Sequence, residues 1–515
     1  MGHALLAWQL RGRGIFTAGD DAAYLLLSRA LRALSYREIQ FVGQPIAARF
    51  PPGYPALVAV TGALFGERLA VVGLLGIAFS ASGIWALFDV VQRRWNRNAA
   101  LVSAALVAIS PALLAFVAVP LSETVYTSLT LWTLWAVDRV DLLGRRDHDR
   151  PSASAGRTVL AVALAVFAAM TRSAGVTLPL ALICHWAWRR QWRAVIAAVA
   201  MTSVFVGGWL AWTSMAPRRE VRLSYIDDVV RPAASAPSPV RVFVDRLTTN
   251  VPMYATQVSL TQLSVPVTPR TKWDNVGWIV VLGGLFFVGL VSAWKRWNAA
   301  AIYLVGYCAL LALWPYLLER FLVPMVPLAL TFIVIGASTV GTWLHDRRDF
   351  SVAIVAVVLA VFGLRADAGL VAAALDCDRS RTACASANSL DFVDASRLAG
   401  TLTSPTARFI TPKGATLYYH GGRQTVFWEE AVRQDSASFL AYLRGNGVTH
   451  ILSTPVYGDY DTIMHLVEAH CSRFALVRSL SPQTLILAFR DSAATESDGG
   501  RACLFVRRAL ENARL

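Results

Sequence analysis

RLAVVGLLGIAFSASGIWALFDVVQ, residues 68–92, runs from Arg68 to Gln92 with Asp89 as its one internal charge. About 20 consecutive apolar residues suffice to cross a hydrocarbon layer as a helix. Nine further stretches read the same way: 98–118, 120–138, 157–171, 173–189, 193–215, 276–294, 299–317, 321–343 and 350–366. Several are short for a span, those within 157–189 most of all. The expected fold class is a polytopic α-helical membrane protein.

Composition agrees. The chain has 515 residues, 56% of them hydrophobic, and a mean hydropathy of +0.49. Its net charge of +15 is unevenly placed, because residues 367–515 carry 15 basic and 15 acidic side chains. The whole excess lies in the apolar part, where loop topology and anionic lipid account for it better than nucleic acid does. Basic residues follow alternate stretches: Arg93, Arg94 and Arg97; Arg139, Arg145, Arg146, Arg150 and Arg157; Arg189, Arg190 and Arg193; Lys295 and Arg296; Arg347 and Arg348. The short connectors opposite hold only Arg172 and Arg320. By the positive-inside tendency the basic side is cytoplasmic. The segment 216–272 carries eight basic residues against this, but long loops weigh less in that tendency. Residues 17–67, 216–272 and 367–515 are then expected outside. MGHALLAWQL (1–10) is too short to cross a bilayer and lacks a signal-peptide cleavage pattern, so an incomplete first transmembrane helix is expected.

The expected domains are a multi-spanning 1–366, with outer loops 17–67 and 216–272, and a soluble 367–515. In the latter, β-rich runs at 407–411, 415–419, 424–428, 448–453, 474–478 and 484–489 alternate with helical patterns near 388–402, 433–446 and 460–471. That alternation predicts a small α/β domain, with 491–501 as a loop. Cys184 and Cys308 sit in apolar stretches, whereas Cys377, Cys384, Cys471 and Cys503 all fall in the soluble part. Four cysteines there suggest an oxidising compartment. Three pairings are possible, and 377–384 with 471–503 is favoured.

Charged motifs punctuate the apolar pattern. GDDAAYLLLSRAL (19–31) opens a helix with two acids. Asp20 or Asp21 could cap that helix, or one could serve as a general base while the other orients it or binds a metal. Tyr24 lies one turn from Asp20 on the same face. ARFPPGYPALVA (48–59) is a rigid turn, with Arg49 suited to an anionic phosphate and Tyr54 inside the motif. PLSETVYTSL (120–129) places Glu123 at a span start, AMTRSAG (169–175) places Arg172 at a break, and YLLERFLVPMVP (316–327) contributes Glu319 and Arg320. Singly, each is an ordinary interfacial residue. Under the inferred topology Asp20, Asp21, Arg49, Glu123, Arg172, Glu319 and Arg320 all fall at one membrane face, as an external active site requires. No zinc-type histidine spacing lies near the membrane face, and no Walker motif or dinucleotide fingerprint is present.

The order GDDAAY, RFPPGYP, a basic loop, LSETVYTSL, TRSAG, ERFLVPMVPLAL resembles the GT-C membrane glycosyltransferases over about 17–345. The nearest groups are bacterial relatives of protein O-mannosyltransferases and of the lipid A aminoarabinose transferases. LYYHGGRQTVFW (417–428) is similar to them in placement. The resemblance implies a GT-C-like fold with an extracytoplasmic C-terminal α/β domain in a bacterial inner membrane. It also implies transfer of a hexosyl or pentosyl group from a polyprenyl-phosphate donor to a lipid, glycan or protein acceptor. The implied catalytic residues are Asp20, Asp21 and Glu123, with Arg49, Arg172 and Arg320 on the donor phosphate and Tyr24, Tyr54 and Glu319 in support. The family's acidic residue falls on Asp20, with Asp21 where Glu is usual. Arg49-Phe50 stands where some relatives have Glu-Lys, and a divalent metal is left open. Membrane lipids are implied partners and nucleic acid is not. Two competing readings are a transporter or lipid flippase, and a non-catalytic scaffold of envelope assembly. Few charges inside the spans and no visible repeat disfavour transport.

Overall fold

The computed structural model describes the chain except residues 18, 145–150, 217–237, 266–274, 345–346, 457–458, 491–495 and 514–515. Arg145, Arg146, Arg150 and much of the expected loop 216–272 therefore lie outside the described residues. The chain divides into two compact units, one of residues 1–12 and 48–374, the other of residues 13–47 and 375–515. The division differs from the boundary expected at 366/367, because residues 13–47 group with the C-terminal part.

The first unit is helical. Its helices are α1 (Gly2–Gln9), α3 (Gly53–Phe65), α4 (Leu69–Arg94), α5 (Arg97–Ala108), α6 (Pro111–Val117), α7 (Glu123–Gly144), α8 (Pro151–Thr171), α9 (Thr177–Trp188), α10 (Trp192–Ser214), α11 (Pro239–Met253), α12 (Val276–Arg296), α13 (Asn298–Leu313), α14 (Val326–Trp343) and α15 (Arg348–Arg379); α2 (Asp20–Arg32) belongs to the second unit. All ten apolar stretches are helical, but fewer have membrane length. Among the described residues, five segments are long and apolar enough to cross: α4, α10, α12, α14 with the turns from Glu319, and α15; α5 and α6, bent by 56°, make a sixth if counted as one. Ser110 and Pro111 explain the bend, since proline cannot continue the amide ladder of α5. α15 has 32 residues and outlasts the stretch expected to end at 366.

Helix contacts here use small residues, as expected where lipid removes the hydrophobic drive between helices. α12 and α14 meet through reciprocal glycines. A Cβ at Gly289 would strike the Phe332 carbonyl, and one at Gly336 the Leu285 carbonyl. α4, α7 and α9 are also joined by a buried ion cluster. Asp138 of α7 takes Arg93 at 2.8 Å and Arg94 as well. Asp89 of α4 takes Arg93, Arg139 at 3.0 Å and the Trp135 indole at 2.6 Å. Asp141 faces His185 and Arg189, each at 3.3 Å.

The second unit is an α/β domain around a five-stranded sheet. Its strands are β1 (Arg408–Ile410), β2 (Gln424–Thr425), β3 (His450–Ser453), β4 (Phe474–Ser479) and β5 (Leu485–Phe489), in the order β2-β1-β3-β5-β4. β1 runs parallel to β2 and β3, while β5 pairs antiparallel with β3 and β4. The helices are α16 (Ala387–Leu402), α17 (Gly414–Gly421), α18 (Trp428–Val432), α19 (Ser436–Gly445), α20 (Tyr460–Ala469) and α21 (Glu496–Ala513). Strand alternation feeds two cores. Ile410, Ile451, Leu485 and Leu487 join one, and Phe409, Leu452 and Ile486 the other. Two expectations are corrected. The β-prone run 415–419 is helical, within α17, and α21 replaces the later part of the loop expected at 491–501. Cys377 pairs with Cys384 and Cys471 with Cys503, the favoured pairing.

Residues 13–47 extend this domain. The Val42 amide donates to the Thr425 carbonyl at 2.9 Å and the Thr425 amide to the Gln40 carbonyl at 2.8 Å, so the segment continues the sheet beyond β2. The chain then doubles back, with Glu38 amide to Pro45 carbonyl at 2.8 Å and Ala47 amide to Tyr36 carbonyl at 3.0 Å.

Candidate active site

Most of the candidate residues in the first unit stand at helix starts and breaks. Glu123 is the first residue of α7 and only 1% exposed. A carboxylate at a helix N-terminus is favoured by the amides exposed there. Burial at this depth needs more, and two cations supply it. The Arg172 guanidinium lies 2.7 Å from Glu123 Oε1, and that of Arg320 lies 3.8 Å from the same oxygen. Arg172 also reaches Ser122 Oγ at 3.4 Å.

Neither arginine sits inside a regular helix. Arg172 is extended backbone between α8 and the 3₁₀ turn Ser173–Val176. Arg320 lies within the 3₁₀ turn Glu319–Phe321. Phe321 lies between the two, with guanidinium carbons 5.2 Å and 5.7 Å from its ring centre. A cation over an aromatic face is attracted by the ring's quadrupole. Beneath lie Tyr126, Tyr303 and Tyr307, all buried. The Tyr126 and Tyr303 hydroxyls are 2.9 Å apart, and the Tyr307 hydroxyl donates to the Phe321 carbonyl at 3.0 Å. Gly53 brings α3 against the end of α8, where a Cβ would lie 2.5 Å from the Met170 carbonyl oxygen. The RFPPGYP and TRSAG motifs therefore pack together, with Tyr54 buried and Arg49 half-buried beside the Phe50 ring. Glu319 is exposed.

The acidic pair belongs to the second unit. Gly19, at φ 79°, is the N-cap of α2, and Asp20 and Asp21 form its first turn. Asp20 is therefore not the N-cap, and its side chain is partly exposed. Asp21 is 3% exposed, and its Oδ1 accepts the Ala22 amide at 3.0 Å. Tyr24 is buried.

Sequence reading missed several contributors. The three tyrosines and Phe321 were hidden within apolar runs. Glu38, in the first loop, is buried and takes the Gln40 amide. Lys413, in the second unit, has its ammonium on the carbonyls of Thr17 and Phe16. Among the described residues, no group of three or more His, Cys, Asp or Glu side chains could hold a metal ion.

The family model of dolichyl-phosphate-mannose-protein mannosyltransferases matches residues 49–212, a part that includes Arg49, Glu123 and Arg172. No curated protein sequence matches the chain. Among solved structures, ArnT from Cupriavidus metallidurans bound to undecaprenyl phosphate superposes with a TM-score of 0.54 at 16% identity, covering 96% of this chain and 98% of that one. The archaeal oligosaccharyltransferase AglB from Archaeoglobus fulgidus, in complex with an inhibitory peptide and a dolichol-phosphate, gives 0.57 at 13% identity, covering 92% and 72%. The chain has the GT-C fold of these membrane proteins.

Proposed function

We propose that the protein is a multi-pass membrane glycosyltransferase that moves a sugar from a polyprenyl-phosphate donor to a hydroxyl-bearing acceptor. The observation that carries this reading is the pair of guanidinium groups held on one buried carboxylate oxygen at two helix breaks. Departure of the sugar breaks the bond from C1 to a phosphate oxygen, and the electron pair goes to that oxygen. Arg172 and Arg320 would receive the growing charge, with Arg49 as a third phosphate ligand. Glu123 holds the arginines in place, a role its burial suits better than proton transfer. Asp20 would accept the proton as the acceptor oxygen bonds to C1, which inverts the anomeric centre. Asp21 supports Asp20, while Tyr24, Tyr54 and Glu319 shape the surroundings.

The proposed setting is the outer face of a bacterial inner membrane, with 367–515 outside the cytoplasm. The proposed donors are lipid-phosphate hexoses or pentoses, and the acceptor is a lipid, glycan or protein. The family-model match and the resemblance to ArnT and AglB support the lipid-phosphate donor.

The test is Asp20→Asn in the full-length, detergent-solubilised protein. Transfer from undecaprenyl-phosphate sugars into membrane acceptors should fall by about 10²–10⁴. Asparagine is nearly isosteric and tolerated in a first helical turn, so folding should persist. Near-wild-type turnover in this variant sinks the assignment. Asp21→Asn is the comparison and should lose less.

A further inference from the structure

We propose that Lys413 is a positioning residue for the acidic loop: its ammonium, bound to the carbonyls of Phe16 and Thr17, sets where Asp20 stands three residues later. The inference rests on the reading of Asp20 as the proton acceptor, but its structural half stands alone.

Lys413 follows β1 and is the N-cap residue of α17. It stands in the short turn that joins the two. It is 8% exposed, unusual for a lysine, whose charge is costly to bury unless its hydrogens find acceptors. It finds the Thr17 carbonyl at 2.9 Å and the Phe16 carbonyl at 3.4 Å. Burial pushes its pKa down, and the negative charge of Asp21 opposes that. The loop it holds is conformationally demanding. Phe16, at φ 55°, occupies the left-handed region that disfavours a side chain, and such a residue persists only where its surroundings over-determine it.

Two further constraints come from the same helix. The Phe16 ring packs edge-on to Tyr419 at 4.7 Å, and His420 Nε2 lies 3.0 Å from the Gly14 carbonyl. α17 and its N-cap thus grip the loop at Gly14, Phe16 and Thr17, with Lys413 on the residue three positions before Asp20. The LYYHGGRQTVFW motif, otherwise without an assigned task, becomes the seat of this loop.

The experiment uses full-length protein in detergent and the variants Lys413→Met, Lys413→Gln and Lys413→Arg. Hydrogen exchange across residues 14–21 should quicken about tenfold in Lys413→Met, while β3 and β5 keep their protection. With undecaprenyl-phosphate mannose as donor, kcat should fall about 10–100-fold with the donor KM within about twofold, because misplacement of a reacting group costs rate rather than binding. Lys413→Arg, which keeps charge and donors, should restore most of both. If Lys413→Met fails to fold, Lys413→Gln is read in its place. Unchanged exchange at 14–21 in a folded variant, or loosening that Arg does not reverse, overturns the proposal. If exchange rises as expected but Asp20→Asn retains full turnover, the tether stands and the reading of Asp20 fails.

Discussion

α7 carries a cluster of charges towards each end, about 25 Å apart along its axis. The two are built differently. At the C-terminal end, Asp89, Asp138 and Asp141 meet Arg93, Arg94, Arg139, Arg189 and His185, all from α4, α7 and the end of α9. Each carboxylate has at least two cationic neighbours, and most of these groups ride on unbroken helix. At the N-terminal end, one carboxylate, Glu123, meets two arginines, and both arginines come from irregular backbone. Irregular backbone within a membrane protein persists where it is buried in protein or lines a cavity. The comparison separates two uses of buried charge. One cluster closes on itself and fastens helices together. The other presents paired guanidinium groups at points where the helices stop.

That contrast can be broken. The largest expected effect is on rate at the N-terminal cluster. Arg172→Ala should cut transfer by about 10²–10³, the usual loss on removing one donor to a developing anion. Steady-state transfer from undecaprenyl-phosphate sugars measures it. Stability should also fall, because Glu123 keeps only the more distant Arg320, but turnover per folded molecule should still show the loss; a variant that merely melts early would place both clusters in the same class.

Next comes stability at the C-terminal cluster. Asp138→Asn strips the shared partner from Arg93 and Arg94, and breaking a buried pair typically costs about 3–5 kcal/mol. Unfolding in mixed micelles should show that loss. Turnover per folded molecule should stay within about threefold of wild type, as for a site remote from chemistry. A specific loss of turnover in stably folded protein would mean this cluster takes part in transfer.

The smallest effect sharpens the boundary between the two. Glu123→Gln preserves shape and removes the charge that gathers the arginines. Transfer should fall by about tenfold, and a cycle with Arg172→Ala should show coupling of roughly 0.5–3 kcal/mol. Additive losses would mean that Glu123 and Arg172 act separately.

The legible parts of this molecule were those written in one segment. Apolar runs announced the helices because span length is a local property. Arg172 and Arg320 stood out because each interrupts a run. The β-prone Leu417, Tyr418 and Tyr419 misled, since packing against α2 and α16 overrode local propensity. The C-terminal cluster was invisible as a cluster. Its arginines read as loop-flanking charges, and nothing local pairs Arg94 with an aspartate 44 positions away. Lys413 was hidden for the same reason, being one basic residue among 15 in an electrically balanced stretch. Sequence signals a residue's own environment better than its distant partner.

The bond from Lys413 to Thr17 joins residues 396 apart in the chain. During synthesis, α2 leaves the ribosome long before its seat. At about 5–20 residues per second the wait is roughly 20–80 s. For that interval Phe16 lacks the neighbours that hold its strained backbone, and Asp20 has no fixed position. A nascent or prematurely terminated chain would thus carry the acidic loop without the means to place it. Arrival of α17 then serves as a check that synthesis has reached the C-terminal domain.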